Sequence, residues 1–266
     1  LVIGQGNVTS ISDTQQNIGN LTFNGGTLVF GLANQSGERF GSINTGHLVS
    51  SSENKTNIQL DLGQRPVDDG DFGNGGAFNP ESNLLNHIGM NVEVLISGTD
   101  TELFDVNDLV LQNIKNGVPV TGTAYTTQIK DISNSNITVA DVTYDYHLIT
   151  TDNNDLAIDY ALTQLNILED KTVVLNIAGA SNNTMSAQIS GLGNLELRSD
   201  DDGLVLKNSA NSYTGATSVK SGVVKAGSDN AFGKTSELNI SAYTTVDLNA
   251  KQQTIGALIN HGILDL

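Results

Sequence analysis

Carboxylates are the residues of this chain with the clearest capacity for chemistry. They cluster at Asp68/Asp69/Asp71, at Asp152/Asp155/Asp159 and at Asp200/Asp201/Asp202. Polysaccharide lyases and hydrolases work with such carboxylates when a groove also supplies Arg or Lys. The nearest bases in sequence are Arg65, Lys171, Arg198 and Lys207, and none is interleaved with the acids. Beside Gly203, the Asp200–Asp202 run reads most simply as a solvated turn. Asp69-Gly70-Asp71-Phe72-Gly73-Asn74 has the flavour of a calcium loop. It lacks Asp or Asn at the fifth position and has Pro80 where the twelfth-position Glu should stand, so a plain Gly-rich loop fits as well. His47, His87, His147 and His261 show no metal-pair spacing, and each is expected at the surface or in a turn. No Gly-x-Ser-x-Gly is present. No catalytic residue, metal site or cofactor is therefore assigned. The candidate binding positions are loop residues: Asp68, Asp69, Asp71, Phe72 and Asn74 in one cluster, and Asp200, Asp201 and Asp202 in another.

Composition narrows the classes further. The 266 residues carry 12 Lys plus Arg against 29 Asp plus Glu, a net of −17, with no Cys, no Trp and three Pro. Without Cys there is no disulfide scaffold, thiol enzyme or Cys-ligated metal. Net acidity disfavours a nucleic-acid partner, which needs clustered Lys and Arg. The charge is uneven: residues 1–197 hold six basic and 22 acidic residues, whereas the remainder holds six and seven. The chain starts without a charged leader region or initiator Met and stops inside an alternating run, so a mature or excised portion of a longer protein is expected.

The elements that must position these loops are strands. Apolar residues alternate at Leu21/Phe23, Leu28/Phe30, Ile58/Leu60/Leu62, Met90/Val92/Val94/Ile96, Val173/Leu175/Ile177, Leu195/Leu197 and Leu204/Leu206. Alternation sends one set of side chains into a core and the other to solvent. In the last third, apolar pairs start near Leu204, Val224, Val246 and Leu264, at intervals of 20, 22 and 18 residues. A near-constant interval of this size is a solenoid signal. A direct repeat agrees: Gln15-Gln16-Asn17-Ile18-Gly19-Asn20-Leu21 matches Gln252-Gln253-Thr254-Ile255-Gly256-Ala257-Leu258. Asn at stacked turns, about thirty in the chain, would form amide ladders. Helical signal is limited to Asn79–Gly89, with Pro80 at a first helical position and Gly89 as a stop. Residues 63–89 are thus expected as a loop or short-helix excursion, and residues 100–150, where alternation weakens, as a second excursion or a β-hairpin.

Residues 189–233 carry a resemblance. They run Gly191-Leu192-Gly193-Asn194-Leu195-Glu196-Leu197, then Asn211-Ser212-Tyr213-Thr214-Gly215-Ala216-Thr217, then Gly222, and close on Asn230-Ala231-Phe232-Gly233. This is similar to the passenger-associated repeat of type V bacterial autotransporter adhesins. Tyr213 and Phe232 belong to the repeat and are expected to be structural. The resemblance implies an all-β chain, a single right-handed parallel β-helix over 1–266 with loop or hairpin excursions. It implies a passenger on the cell surface of a Gram-negative bacterium, anchored at the outer membrane through its own C-terminal β-barrel translocator. No Gly-Asp-Ser nucleophile motif of the family's proteases is present, so adhesion rather than catalysis is implied. Partners would be another copy on a neighbouring cell, giving autoaggregation and biofilm, or a host extracellular-matrix protein or glycan. A β-helix enzyme on polysaccharide and a pure spacer are the remaining alternatives.

Overall fold

The computed structural model describes residues 1–11, 14–31, 41–61, 83–89, 92–115, 118–119, 124–131, 134–151 and 153–266. Among them the fold is all-β and the sheets are mostly parallel; regular helix is confined to two 3-10 turns, Leu84–His87 and Val106–Asp108. The chain divides into two compact units. The first comprises Leu1–Ala77, Asn91–Thr123 and Tyr146–Tyr160, and the second Phe78–Met90, Ala124–Asp145 and Ala161–Leu266.

The first unit holds two parallel ladders. In one, Val2–Gly4, Gln16–Asn24, Ile43–Ser50 and Glu93–Leu103 pair in order, and the start of Leu156–Ile167 then adds antiparallel. In the other, Val8–Ile11, Thr27–Phe30, Thr56–Asp61 and Leu109–Lys115 pair in order, closed by antiparallel Val118–Pro119. The predicted alternation holds here: Leu21, Phe23, Leu28, Phe30, Ile58 and Leu60 are fully buried in one cluster. Each such side chain contributes roughly 1.5–3 kcal/mol of burial. The turn between Phe23 and Thr27 depends on glycine. Gly25 has φ +88°, and a Cβ on Gly26 would lie 2.4 Å from the Gly4 carbonyl oxygen.

The second unit contains the regular stack. Thr172–Asn176, Asn194–Arg198, Thr217–Ser221, Glu237–Ile240 and Ala257–Asn260 form one parallel ladder. Thr184–Met185, Leu204–Leu206, Val223–Ala226, Thr245–Asp247 and Ile263–Asp265 form another. Leu204, Val224, Val246 and Leu264, picked out by their intervals, are direct register partners. The weakly alternating region holds an antiparallel hairpin, Tyr125–Asp131 against Asn134–Thr150, with a bulge near Lys130. Of the predicted short helix, the described part is the Leu84–His87 turn. Its cap is Asn83, whose side chain accepts the Leu85 N–H at 3.1 Å; Gly89 follows at φ +67°.

Candidate functional site

The two predicted loop clusters fare differently. Asp68, Asp69, Asp71, Phe72 and Asn74 lie outside the described residues, beyond the end of strand Thr56–Asp61. Asp200, Asp201 and Asp202 are exposed on a turn, as expected. The Asp200 carboxylate is turned back on its own loop, accepting the Asp202 N–H at 2.9 Å, while its carbonyl accepts Val223 N–H from the strand Val223–Ala226. Arg198, the nearest base, is engaged by Glu196 at 2.6 Å. The third acidic cluster is split as well. Asp155 accepts the Gly98 N–H at 3.2 Å, and Asp159 is buried 3.9 Å from the His147 ring; Asp152 lies outside the described residues. Among the described residues, no group of three His, Asp or Glu is placed to hold a metal ion.

The residues of the motif that carries the resemblance bond across to neighbouring strands and turns. The buried Asn211 side chain bridges two distant chain segments: its oxygen accepts Ile189 N–H at 2.7 Å and its nitrogen donates to the Ala231 carbonyl at 2.7 Å. Tyr213 is fully buried, and its hydroxyl lies 2.8 Å from that of Thr217. Thr217 donates to Thr235, whose own hydrogen serves the Gly215 or Glu237 carbonyl. Each hydroxyl has one hydrogen, so Tyr213 must be the donor to Thr217, and the chain runs in one direction. Burial pushes the Tyr213 hydroxyl well above its ordinary range, which keeps it protonated in that role. Gly215 sits so close to the chain at Gly193 that a Cβ would fall 2.0 Å from the Gly193 carbonyl oxygen. Tyr213 and Phe232 are structural, as the sequence suggests.

His87 lies in a turn, as expected of each His, but within that turn it faces inward rather than to solvent. It is buried, with Nδ1 2.7 Å from the Tyr144 hydroxyl, and burial pulls its pKa down to about 4. The turn that bears it is clamped to the strand and loop after Thr172. Asn83 donates to the Asn176 carbonyl at 2.5 Å, and the Asn86 side-chain oxygen accepts the Ser181 N–H at 2.7 Å and its hydroxyl at 3.1 Å. Burial of an imidazole among neighbours distant in sequence leaves no local pattern to read.

Sequence inspection also passed over one surface. The outward residues of the second ladder of the first unit form two rows by register. One is Val8, Thr27, Asn57 and Val110; the other is Ser10, Val29, Gln59 and Gln112. None of these side chains titrates. Three amides are already joined, Gln59 donating to Gln112 at 2.9 Å and Gln112 to Asn57 at 3.1 Å. Lys55 and Asp61 stand before and at the end of their strand, outside the two rows. The signal was present in the alternation, as the residues left over once the core positions are taken.

No protein family's sequence profile matches the chain, and no solved structure matches it. Two proteins of Escherichia coli (strain K12) are similar to it. The uncharacterized protein YuaQ is 30% identical over 270 residues, and the uncharacterized lipoprotein YdeK is 31% identical over 264 residues. These matches cover 97% and 94% of the chain but 19% of each relative, so the chain spans about a fifth of the length of the curated relatives it matches.

Proposed function

We propose that this chain is a section of a bacterial cell-surface adhesin of the autotransporter-passenger type, in which a right-handed parallel β-helix presents adhesive faces outward from the cell. It acts without catalysis and joins cells by self-association, with aggregation and biofilm as the result. The observation that carries the reading is the coil-on-coil register at Leu204, Val224, Val246 and Leu264. A stack of coils, each stabilised by its neighbours, is a scaffold that repeats surface features at regular spacing. The Asn211–Thr217 motif supports it, since every distinctive residue there serves stacking. A location in the cell envelope is in keeping with the lipoprotein named among the relatives. Repetition suits adhesion by many weak contacts, whose avidity exceeds any single affinity.

Cells displaying the full-length protein test this by settling. Displaying cells are expected to clump in a density-dependent way that non-displaying cells do not show. Equal settling of the two populations, together with attachment to a coated matrix protein, would replace self-association by host binding.

A further inference from the structure

We infer that the two uncharged rows of the first unit, lying within Val8–Ile11, Thr27–Phe30, Thr56–Asp61 and Leu109–Lys115 and flanked by the exposed Lys55, are where one copy of the chain meets a second copy, and that salt strengthens the contact. The inference rests on the adhesive reading and specifies its surface and its regulation.

Charge selects the face. The first unit holds four basic and fifteen acidic residues, a net of −11. Two copies approaching through most of that surface repel each other. The paired rows around Asn57, Gln59 and Gln112 carry no charge, so they form a surface on which a like-charged copy can be approached without placing carboxylates opposite each other. The other ladder of the unit does not share this property: His47 lies in its exposed row, and Asp100 is its register partner. In the second unit, Glu196, Lys225, Asp247 and Asp265 stand on the ladders.

Chemistry selects the occupant. Amides and hydroxyls both donate and accept, so a face made of them is complementary to itself across a two-fold axis. A cationic or anionic partner would find no opposite charge in these rows. The Gln59–Gln112–Asn57 chain holds its side chains before contact, which lowers the entropy lost on docking. Val8, 70% exposed, and Val110, 39% exposed, add apolar area at the two edges of the face. Four strands spaced about 4.8 Å apart make a patch far smaller than a stable single interface. One contact is therefore weak, and the surface works when many copies are displayed together.

The direction of the salt effect separates this from a charge-paired interface. Raising ionic strength from about 0.01 to 1 M shortens the screening length from about 30 to 3 Å. Repulsion between the acidic bodies is screened while amide contacts are untouched, so clumping rises; ion pairs would weaken instead.

The test uses beads coated with the full chain, followed by turbidity at about 0.01 and 1 M NaCl. Wild-type beads should clump, at least tenfold faster in high salt. Beads carrying Gln59→Glu/Gln112→Glu, or Gln59→Lys/Gln112→Lys, should each fail to clump alone at low salt, and a mixture of the two should clump. Circular dichroism checks that the variants fold; Ser10→Glu and Ser10→Lys, at an exposed position in the same row, replace them if they do not. Variants that clump like wild type would overturn the face and leave adhesive self-association standing. Wild-type clumping that falls with salt would overturn the uncharged contact in favour of charge pairing. Wild-type beads that never clump would overturn both this inference and self-association, and their retention of a neutral polysaccharide would name the replacement occupant.

Discussion

The two units use the same residue, Asn, for two different jobs. In the first unit Asn side chains meet other side chains on the surface. Gln5 donates to Asn54 at 2.7 Å, Asn54 to Asn24 at 2.9 Å, and Asn44 to Asn17 at 3.4 Å. In the second unit several reach the backbone beside a neighbouring strand, although Asn166 still takes a side-chain hydrogen bond from Ser190. Asn194 accepts Ala216 N–H, Asn208 donates to the Ser186 carbonyl, Asn249 donates to the Ala226 carbonyl, and Asn211 bridges both ways. The spacing explains the difference. Register partners in the second unit lie 20 to 22 residues apart at Leu195, Thr217, Leu238 and Leu258, so each short turn lies directly over the last. In the first unit Leu28 pairs with Ile58, and Ile58 with Leu111, steps of 30 and 53 residues. Where the step between paired strands is even, as in the second unit, Asn side chains come within reach of the backbone beside the neighbouring strand; where the step varies, as in the first, the described Asn contacts are made between side chains.

Glycine substitution should break that contrast most sharply. Gly215→Ala places a Cβ 2.0 Å from the Gly193 carbonyl oxygen, a backbone clash that forces the two segments apart. A loss of about 3 kcal/mol is expected, read as a fall in Tm or in denaturant midpoint. Gly19→Ala in the first unit meets nothing within 4 Å and should change stability by less than about 0.5 kcal/mol. Equal effects at the two sites would mean that the close approach of Gly215 to Gly193 does not constrain the stack.

Acid should act on the second unit through His87. Its folded pKa is about 4, below the model-peptide value of 6.5, because burial disfavours the charged ring. Between these values the unfolded chain binds a proton that the folded chain refuses. Stability contributed by the neutral ring is therefore complete above pH 6.5 and lost as pH falls toward 4, by about 3 kcal/mol in total. Urea midpoints measured across this window should show the slope, and His87→Phe should remove it even if the variant is less stable at every pH.

Asn211→Ala leaves the Ile189 N–H and Ala231 carbonyl unpaired inside the stack, at a cost of about 2 kcal/mol. The surface counterpart Asn44→Ala removes one long, exposed contact and should be close to neutral. Amide exchange at Ile189 reads the first directly, since that N–H should lose protection. Smallest of all, Asp202→Ala on the exposed turn should shift stability by no more than about 0.5 kcal/mol, because the backbone N–H that binds Asp200 is retained.

Much of the strand content was legible. Leu21, Phe23, Leu28 and Phe30 alternate around an Asn-Gly-Gly turn, and the structure buries all four. The intervals between Leu204, Val224, Val246 and Leu264 gave the register of a whole ladder. The antiparallel additions were not legible. Leu156 pairs with Ile96 across sixty residues of chain, and no periodicity reports a partner at that distance. The candidate site was less accessible still. Asp200–Asp202 stood out by composition yet form an ordinary turn, whereas Asn57, Gln59 and Gln112 look unremarkable one at a time and become a surface only when three strands are laid side by side.

The sequence by itself determined the β class, the strand interval of the final third, the acidic balance of the chain and the buried positions of most alternating runs; the run through Val92 and Val94 is the exception, since both are exposed and Leu95 between Val94 and Ile96 is buried. These are properties of period and composition, and period-two burial needs no knowledge of the partner strand. Only the tertiary structure decided which Asn hold backbone and which hold one another, that Tyr213 donates down a chain of hydroxyls, that His87 is buried, and that the ladder around Gln59 turns two uncharged rows to solvent. Each depends on which residue stands beside it in the next strand, and that is fixed by the spacing between paired strands and long-range pairing rather than by any local pattern.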